Sequence, residues 1–317
     1  MKKILLLGGT GFLGRAVCEE IERLQWHATL PTRRLSNAQP VLMLPAITPL
    51  AADVHDERAL ARLLPGHDAV VNLIGVLHGD EARFERAHVQ LPAMVARACL
   101  VAGVRRLVHV SALGADADGP SMYQRSKARG EAALQAQVPS GLELTVLRPS
   151  VVFGREDNFL NTFAKLQRVA PFIPLACADA KFQPVWVQDV ASAIVKTLGN
   201  DRTAGQTYEA CGPSVWTLRE LVELTGRLTG HARRVIPISM KTARRQAWLM
   251  EKLPGDPVLS NDNLDSMQQD NVASGNLPGL RELGIHPAEI GPVLRGYLGG
   301  RSTESRLLDL RKTAGRF

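Results

Sequence analysis

A tyrosine and a lysine stand four residues apart in the segment SMYQRSKARGE, which covers residues 121–131. Helix neighbours recur every three to four residues, so Tyr123 and Lys127 are expected on one face of a helix. A nearby ammonium stabilises phenolate, and we therefore expect Lys127 to lower the pKa of Tyr123 toward working pH. The phenol can then serve as a general acid or base. Such a pair is common by chance, so its meaning depends on the elements that position it.

The first residues of the chain can bring a dinucleotide to that pair. Residues 4–7 form a short apolar run that predicts a buried strand, and an amphipathic helical pattern follows it. Between them, GGTGFLG spaces its glycines for a sharp turn, for close approach to a pyrophosphate, and for a helix N-terminus aimed at phosphates. The predicted binding residues here are Gly8, Thr10, Gly11, Phe12, Leu13 and Gly14. The alternative interpretation is a purely structural strand-to-helix turn.

Two arginines end the second predicted strand, where dinucleotide-binding chains usually carry an acidic residue. The segment HATLPTRR closes with Thr32, Arg33 and Arg34. A carboxylate there bonds the ribose 2′-hydroxyl and repels a 2′-phosphate, whereas guanidinium groups donate paired hydrogen bonds to phosphate oxygens. The sequence therefore predicts NADP(H) in preference to NAD(H). The alternative interpretation is a solvated basic loop.

Strand-like and helical segments alternate through the first half of the chain, which is typical of parallel sheets with crossover helices. The predicted fold class is α/β, a Rossmann-type doubly wound parallel sheet with a smaller α/β cap domain. We assign residues 1–154 to the dinucleotide-binding domain, with 183–212 returning to it, and residues 155–182 and 213–317 to the cap. Ligands of such sheets bind at the carboxyl ends of the strands, so the site is expected in the crevice between the domains.

Composition excludes several classes of protein. No apolar run reaches the 18 or so residues of a membrane span. The four cysteines, at positions 18, 99, 177 and 211, are far apart and form no CxxC or Cys/His cluster, so we predict reduced thiols, no metal site and a cytoplasmic location.

The net charge of +7 is concentrated in the second half of the chain. Residues 219–252 hold eight Lys/Arg against three Asp/Glu, a local +5, and residues 301–317 hold five against two. An acidic protein partner or an anionic membrane surface fits such a charge, whereas the absence of interleaved aromatic residues and of a recognition helix argues against nucleic acid.

The predicted helix at residues 240–253 is amphipathic. Its apolar stripe comprises Met240, Ala243, Ala247 and Met250, with Arg244, Arg245 and Lys252 elsewhere. Packing of this stripe in the cap is the favoured interpretation. The alternative is a basic helix on anionic lipid at the inner face of a membrane, with Trp248 as an interfacial anchor.

Taken in order, these motifs resemble the short-chain dehydrogenase/reductase superfamily, in its extended or atypical branch. The segments GGTGFLG, ADVHD, NLIG, YQRSK, LRPSVVFG and FQPVWVQDVA have the family's order and spacing. More narrowly, PTRR, NLIGVL, HVSALGAD and YQRSKARGE resemble the bacterial relatives of the nucleotide-binding accessory subunit of respiratory complex I. The resemblance implies cofactor contacts from Asp53, Val54, Asn72, Leu73, Ile74, Gly75, Ser111, Tyr123, Lys127, Pro149, Ser150 and Val151, and catalysis by Tyr123, Lys127 and Ser111.

That resemblance implies hydride transfer between a nicotinamide and a carbonyl or alcohol carbon, with Tyr123 exchanging the proton and a quinone-like or other carbonyl compound as substrate. Two departures weaken it, since Ala112 and Leu113 stand where a second hydroxyl is usual and His88 replaces a common asparagine. His88 is a candidate substrate-side group, although packing is favoured.

Two alternatives to the oxidoreductase remain open at this point. The first is a non-catalytic NADPH-binding subunit that serves assembly or redox sensing in a respiratory complex. The second, weaker one is an NAD-dependent nucleotide-sugar epimerase or dehydratase, which would not be expected to carry Arg33 and Arg34. For Asp189 a structural role, as the N-cap or a first-turn acid of a helix, suffices.

Overall fold

A computed structural model of the chain describes residues 1–252, 255 and 257–299. The basic segment 301–317 and the last residue of the helix predicted over 240–253 lie outside the described residues. The strands are β1 Lys3–Leu7, β2 His27–Thr32, β3 Ile47–Ala51, β4 Ala69–Asn72, β5 Arg106–Val110, β6 Glu143–Pro149, β7 Val152–Phe153, β8 Phe172–Leu175, β9 Lys181–Phe182, β10 Val185–Trp186, β11 Thr207–Ala210, β12 Trp216–Thr217 and β13 Arg234–Pro237. The α-helices are α1 Phe12–Arg23, α2 Glu57–Leu63, α3 Glu81–Glu85, α4 Leu91–Ala102, α5 Met122–Gln135, α6 Leu160–Val169, α7 Val187–Leu198, α8 Leu218–Thr229, α9 Met240–Glu251, α10 Asn261–Ser266 and α11 Ile290–Tyr297.

Seven parallel strands form the main sheet, in the order β11-β6-β5-β4-β1-β2-β3. The order reverses between β1 and β4, so the chain winds in both directions from the centre of the sheet, and this switch point is where such folds bind ligands. The predicted doubly wound parallel sheet with flanking helices is confirmed.

The sheet is buried on both faces because its central strands are almost wholly apolar. Alternate residues of β1 point to opposite faces, so Ile4 and Leu6 pack with α1 and α7 while Leu5 and Leu7 pack with α2 and α4. These two cores hold the carboxyl ends of β1, β4, β5 and β6 along one edge. The candidate site lies along that edge.

Two segments after residue 154 contribute to the sheet domain. Strand β11 pairs with β6, from Thr207 opposite Val146 to Ala210 opposite Pro149, and α7 packs against α1. The cap has its own core, in which α6, α8 and α11 pack around the β8-β13 pair. A separate small cluster joins α9 and α10 through Ala243, Ala247 and Leu264.

The fourth crossover differs from the helix expected near residues 84–101. Asp80 caps its start by accepting a hydrogen bond from Arg83 N at 2.9 Å, so the helical segment begins at Glu81 and ends at Ala102. Residues 86–90 within it are π-helical. A π turn adds a residue to one helical turn, and such insertions recur at functional sites.

Cys18, Cys99 and Cys211 are buried free thiols, and Cys177 is a partly buried one. Burial raises the pKa of Cys18, Cys99 and Cys211 to about 12, so these thiols stay protonated and unreactive. Among the residues that the structure describes, no helix combines the length and apolar character needed to cross a bilayer.

Candidate functional site

The glycine turn between β1 and α1 has the geometry that a diphosphate requires. Gly8 adopts a φ of +83°, and a Cβ at Gly14 would lie 2.5 Å from both Gly8 O and Gly9 Cα. Only glycine at position 14 therefore lets α1 pack this closely on the turn. The helix starts after Gly11, whose position offers no side-chain cap, so the first-turn N–H groups at Phe12 and Leu13 are free to bind an anion.

The arginines predicted for the 2′-phosphate lie at the carboxyl end of β2. Arg33 and Arg34 are exposed, and neither pairs with a carboxylate among the described residues. Thr32 is buried, and its hydroxyl donates to Arg34 O at 3.1 Å, which fixes the backbone that carries the arginines.

The loop after β3 lies beside the end of β2. Asp53 accepts a hydrogen bond from His55 N at 3.0 Å, and the neighbouring Val54 is buried in the core. Burial lowers the pKa of His55; Asp53 opposes that shift, while Arg33 and Arg86 reinforce it. Two arginines from different elements thus raise the positive potential at this end of the sheet, as a pocket for an added phosphate requires.

The predicted ribose-binding residues follow β4 directly. The Asn72 side-chain nitrogen, Nδ2, lies 3.2 Å from Nδ1 of His109 on β5. The Asn72 side-chain oxygen, Oδ1, accepts a hydrogen bond from Ile74 N at 3.1 Å. These bonds shape the turn through Leu73 to Gly75. A Cβ at Gly75 would lie 3.5 Å from the His88 ring and 3.9 Å from Lys127 Nζ, which brings this turn beside the Tyr/Lys helix.

Helix α5 carries the Tyr/Lys pair and starts at a capping box formed by Ser121 and Gln124. Lys127 is buried, and its ammonium donates to Val110 O, at the end of β5, at 3.0 Å. Burial lowers the pKa of Lys127 to about 8, although Glu131 opposes the shift. Lys127 is therefore mostly an ammonium at neutral pH.

The pKa of Tyr123 differs from the sequence expectation. Burial raises it to about 12, and the Asp262 carboxylate adds to the increase. The expectation that Lys127 lowers this pKa is therefore wrong, because burial of the phenol makes the largest contribution and the nearby Asp262 carboxylate adds to it, both toward a higher pKa. The neutral phenol is a proton donor at physiological pH.

His88 lies in the π turn at residues 86–90, and its ring contacts that of Tyr123. Its Nε2 accepts from Val76 N at 3.0 Å, and its Nδ1 lies 2.8 Å from Ser126 Oγ, whose own proton goes to Tyr123 O. A neutral imidazole with its proton on Nδ1 satisfies both contacts. Burial, together with Lys127, lowers the pKa of His88 to about 3. Both nitrogens are thus engaged inside the protein, which agrees with packing and leaves neither for a substrate.

The rings of His88 and Tyr123 meet edge to face, with centroids 5.5 Å apart and planes at 84°. Phe84 packs against both rings, at 5.5 Å from His88 and 6.1 Å from Tyr123. The rings of Phe84 and His88 therefore pack against the Tyr123 ring on the side of helix α5 that faces α3.

The remaining predicted residues lie at the ends of β5 and β6. Ser111 follows β5, and its Oγ is buried with no hydrogen-bond partner among the described residues. An unsatisfied buried hydroxyl costs roughly 1–3 kcal/mol, so this atom is suited to a partner from a bound cofactor or substrate. Pro149 accepts a bond from Leu113 N at 2.8 Å, and Ser150 donates to Asn271 Oδ1 at 2.6 Å. Val151 is half-buried against the cap core.

The structure thus brings the predicted residues to the same edge of the sheet in two groups. The ends of β4, β5 and β6 and helix α5 form one group, and the ends of β2 and β3 form the other, on the far side of the glycine turn. That division matches the two nucleotides of a dinucleotide. Asp189 lies apart, where it accepts a bond from Ala288 N at 2.8 Å, and Trp186 is the N-cap, so Asp189 is a first-turn acid.

Sequence reasoning assigned residues 213–317 to the cap but did not identify the part of it that contacts helix α5. Asp262 accepts hydrogen bonds from Met122 N at 2.6 Å and Tyr123 N at 3.2 Å, and so caps helix α5 from outside. Gln269 accepts a bond from Gln124 Nε2 at 3.0 Å. The Ser260-x-x-Asn263 spacing indicates only that a helix begins there. No local pattern in the sequence indicates that Asp262 contacts helix α5, which lies 140 residues away in the chain.

We expect Gly130→Ala to destabilise the fold strongly. A Cβ at this position would lie 1.9 Å from His88 O, so helix α5 and the π turn would have to separate. Overpacking of this kind costs about 1–3 kcal/mol, and more where both neighbours are backbone. The measurement is the free energy of unfolding in urea.

Gly296→Ala is the matched control for that measurement. Gly296 is an exposed position in helix α11, and a Cβ there meets nothing within 4 Å. Alanine should be neutral there or stabilising by about 0.4–1 kcal/mol. Equal stability of the two variants would contradict the close contact between α5 and the π turn.

Comparison with known proteins agrees with this geometry. The model of the NAD dependent epimerase/dehydratase family matches residues 4–211. The chain is 31% identical over 294 residues to the mitochondrial NADH dehydrogenase (ubiquinone) 1 alpha subcomplex subunit 9 of Mus musculus, covering 90% of this chain and 76% of that protein. It is 26% identical over 289 residues to the 2-alkyl-3-oxoalkanoate reductase of Stenotrophomonas maltophilia, covering 81% and 87% respectively. The structure of the UDP-glucose 4-epimerase of Thermus thermophilus in complex with NAD has the same fold, with a TM-score of 0.71 and 19% identity over 95% of this chain and all of that one.

The chain therefore belongs to the NAD dependent epimerase/dehydratase family. The resemblance to the short-chain dehydrogenase/reductase superfamily is confirmed at the superfamily level. The narrower resemblance, to relatives of an accessory subunit of respiratory complex I, agrees with the similarity to the mitochondrial subunit.

Proposed function

We propose that this protein binds NADPH and uses it to reduce a carbonyl group. The observation that carries the proposal is the pair of exposed guanidinium groups of Arg33 and Arg34 at the carboxyl end of β2, which have no carboxylate partner among the described residues. Guanidinium groups stabilise a 2′-phosphate dianion, whereas the acidic residue usual at this point would bond the unmodified ribose of NAD(H).

The rest of the edge fits the remaining parts of the cofactor. The first-turn N–H groups of α1 would bind the diphosphate, and Lys127 would hold the nicotinamide ribose. The Ser111 hydroxyl, which has no hydrogen-bond partner among the described residues, would form a hydrogen bond with the cofactor or substrate. The chemistry that a bound dihydronicotinamide supplies is hydride transfer to a carbonyl carbon.

Tyr123 is suited to the proton transfer of a carbonyl reduction. A phenol with a pKa of about 12 keeps its proton at neutral pH and can donate it to a carbonyl oxygen as negative charge develops there. Arg33 and Arg34 argue against the epimerase alternative, because an NAD-dependent enzyme would not be expected to carry them at the end of β2. Similarity to a 2-alkyl-3-oxoalkanoate reductase favours a hydrophobic ketone as substrate, and a quinone-like carbonyl has the same chemistry.

A nucleotide-binding subunit of a respiratory assembly is the second candidate. Two observations favour it: Ala112 and Leu113 supply no second hydroxyl beside Ser111, and the chain is 31% identical to a subunit of mitochondrial NADH dehydrogenase. In that function, bound NADPH would stabilise the subunit or report redox state, and Tyr123 would pack rather than react.

Thermal unfolding with matched ligands tests the cofactor proposal. At a free concentration of 100 times the dissociation constant, a ligand adds about 2.7 kcal/mol to the free energy of unfolding. We expect NADPH to raise the midpoint more than NADH does at equal concentration. Adenosine 2′,5′-bisphosphate should likewise exceed adenosine 5′-phosphate, since these two differ only in the 2′-phosphate. Equal or greater stabilisation by NADH would overturn the proposal.

A further inference from the structure

Helix α9 presents an exposed face that the cap does not cover. The face comprises Lys241, Arg245, Trp248, Leu249 and Lys252, which we call the α9 outer face. Their spacings of four, three, one and three residues place all five within one side of the helix. Trp248 is 55% exposed and Leu249 is 61% exposed, which is unusual for large apolar side chains beside one another.

The opposite side of α9 fixes how this face is presented. Ala243 and Ala247 are fully buried against Leu264 of α10, and these small side chains allow close packing of the helix on the protein. On the same side, Arg244 pairs with Asp265 of α10 at 2.6 Å. The predicted packing of the apolar stripe is confirmed for Ala243 and Ala247, with Met240 partly buried beside them. Lys241, Arg245 and Lys252 are exposed on the opposite side.

The cations of the α9 outer face have no carboxylate partner in the part of the chain that the structure describes. Lys241, Arg245 and Lys252 pair with no carboxylate among the described residues. The nearest acidic residue along the helix, Glu251, accepts hydrogen bonds from Asn261 N at 2.7 Å and Asn261 Nδ2 at 3.2 Å, which engage both of its oxygens. The face thus carries three positive charges around its apolar pair.

We propose that the α9 outer face binds the protein to an anionic lipid bilayer, with the helix lying in the plane of the surface. Trp248 and Leu249 would enter the headgroup region, and the three cations would contact lipid phosphates. Lys252 Nζ lies over the Trp248 ring, 3.6 Å from its centroid, in a cation–π contact. Trp and basic residues are both typical of membrane interfaces.

A lipid surface fits this face better than an acidic protein does. The face is a single convex helix side of about 18 Å, at 1.5 Å per residue. Its apolar pair is exposed, with Trp248 at 55% and Leu249 at 61%. Charge attraction and shallow apolar insertion together give reversible binding to a bilayer, and neither one alone suffices.

Sedimentation of the full chain with vesicles tests this proposal. We expect binding to vesicles of phosphatidylcholine mixed with phosphatidylserine, little binding to phosphatidylcholine alone, and release at high salt. Reversing the three charges, with Lys241→Glu, Arg245→Glu and Lys252→Glu, should lower the partition coefficient at least a hundredfold, since each basic residue contributes about fivefold near an anionic surface.

A charge-matched triple variant controls for net charge. Arg58→Glu, Arg62→Glu and Arg97→Glu change the charge equally, at exposed positions of α2 and α4 in the sheet domain. This variant should retain most of the binding. Loss of binding in both triple variants would overturn the proposal, because it would show an unlocalised attraction. The unfolding midpoint of each variant confirms that the cap remains folded.

Replacing Trp248→Ala and Leu249→Ala separates a bilayer from an acidic protein. On a lipid surface, this double variant should lose about tenfold or more in partitioning while all three cations remain. Unchanged binding of the double variant, together with equally tight binding of the parent to soluble polyglutamate, would overturn the lipid proposal in favour of an acidic polypeptide partner. NADPH binding is measured separately, so failure here leaves the proposed function untouched.

Discussion

Replacing Arg33 and Arg34 together with serine is expected to weaken NADPH binding by roughly 10²- to 10⁴-fold, while NADH binding changes little. Each charge-assisted hydrogen bond to the 2′-phosphate contributes about 1.5–3 kcal/mol, and the two guanidinium groups act on the same dianion. Serine retains a hydroxyl that can bond the ribose 2′-hydroxyl of NADH. Calorimetric titration of each variant with NADPH and with NADH gives the two dissociation constants.

The control for this measurement removes the same charge elsewhere in the domain. Arg58 and Arg62 are exposed on helix α2, and their double replacement with serine lowers the net charge equally without touching the end of β2. It should leave the preference for NADPH intact. If the Arg33/Arg34 variant loses affinity for both cofactors equally, the arginines support the loop rather than recognise the phosphate.

The glycine turn could be predicted from sequence because its requirement is local. A strand, a glycine turn and a helix follow one another between residues 3 and 23, and the nearest clashes of a Cβ at Gly14 are with Gly8 and Gly9. The same holds for Arg33 and Arg34, whose position is set by the length of β2. Alternation of apolar strands with amphipathic helices then predicts a doubly wound parallel sheet.

The contacts between the cap and the sheet domain could not be predicted in this way, since they join residues that are distant in the chain. Asp262 caps helix α5 from 140 residues away, and Asn271 bonds Ser150 from 121 residues away. Nothing in the local pattern of either segment indicates those partners. The error in the pKa of Tyr123 has the same origin, because it depends on burial and on Asp262, both of which arise only in the folded chain.

The π turn is a further case in which local pattern and tertiary packing conflict. The apolar periodicity of residues 84–101 predicts a regular helix, whereas the structure has a π turn at residues 86–90 that packs closely on Gly130 of helix α5. His88, in that turn, has hydrogen-bond partners on both sides of its ring. Periodicity therefore identifies the helix but not its irregularity.

Replacing Tyr123 with phenylalanine is expected to lower carbonyl-dependent oxidation of NADPH by about 10²- to 10⁴-fold, the usual contribution of a positioned proton donor. The variant keeps the ring that packs edge to face on His88, so the fold and the affinity for NADPH should change little. The measurement is the rate of NADPH consumption with a panel of hydrophobic ketones and quinones, compared with direct titration of the cofactor.

Tyr208→Phe is the matched control for that loss of activity. Tyr208 is a buried tyrosine on β11, away from α5, and burial raises its pKa as it does for Tyr123. Removing its hydroxyl should leave turnover unchanged. Equal effects of the two substitutions would indicate a general response to loss of a buried phenol.

The outcome with the parent protein separates the two proposed functions. A reductase must consume NADPH in the presence of some carbonyl compound, and its rate must depend on the proton of Tyr123. A subunit that only holds NADPH will show the selective stabilisation attributed to Arg33 and Arg34 but no turnover with any member of the panel. In that case the phenol, with its pKa of about 12, acts only as a neutral packing group beside His88 and Phe84. Activity and cofactor affinity therefore have to be measured on the same variants, because the arginines are common to both functions and Tyr123 distinguishes them.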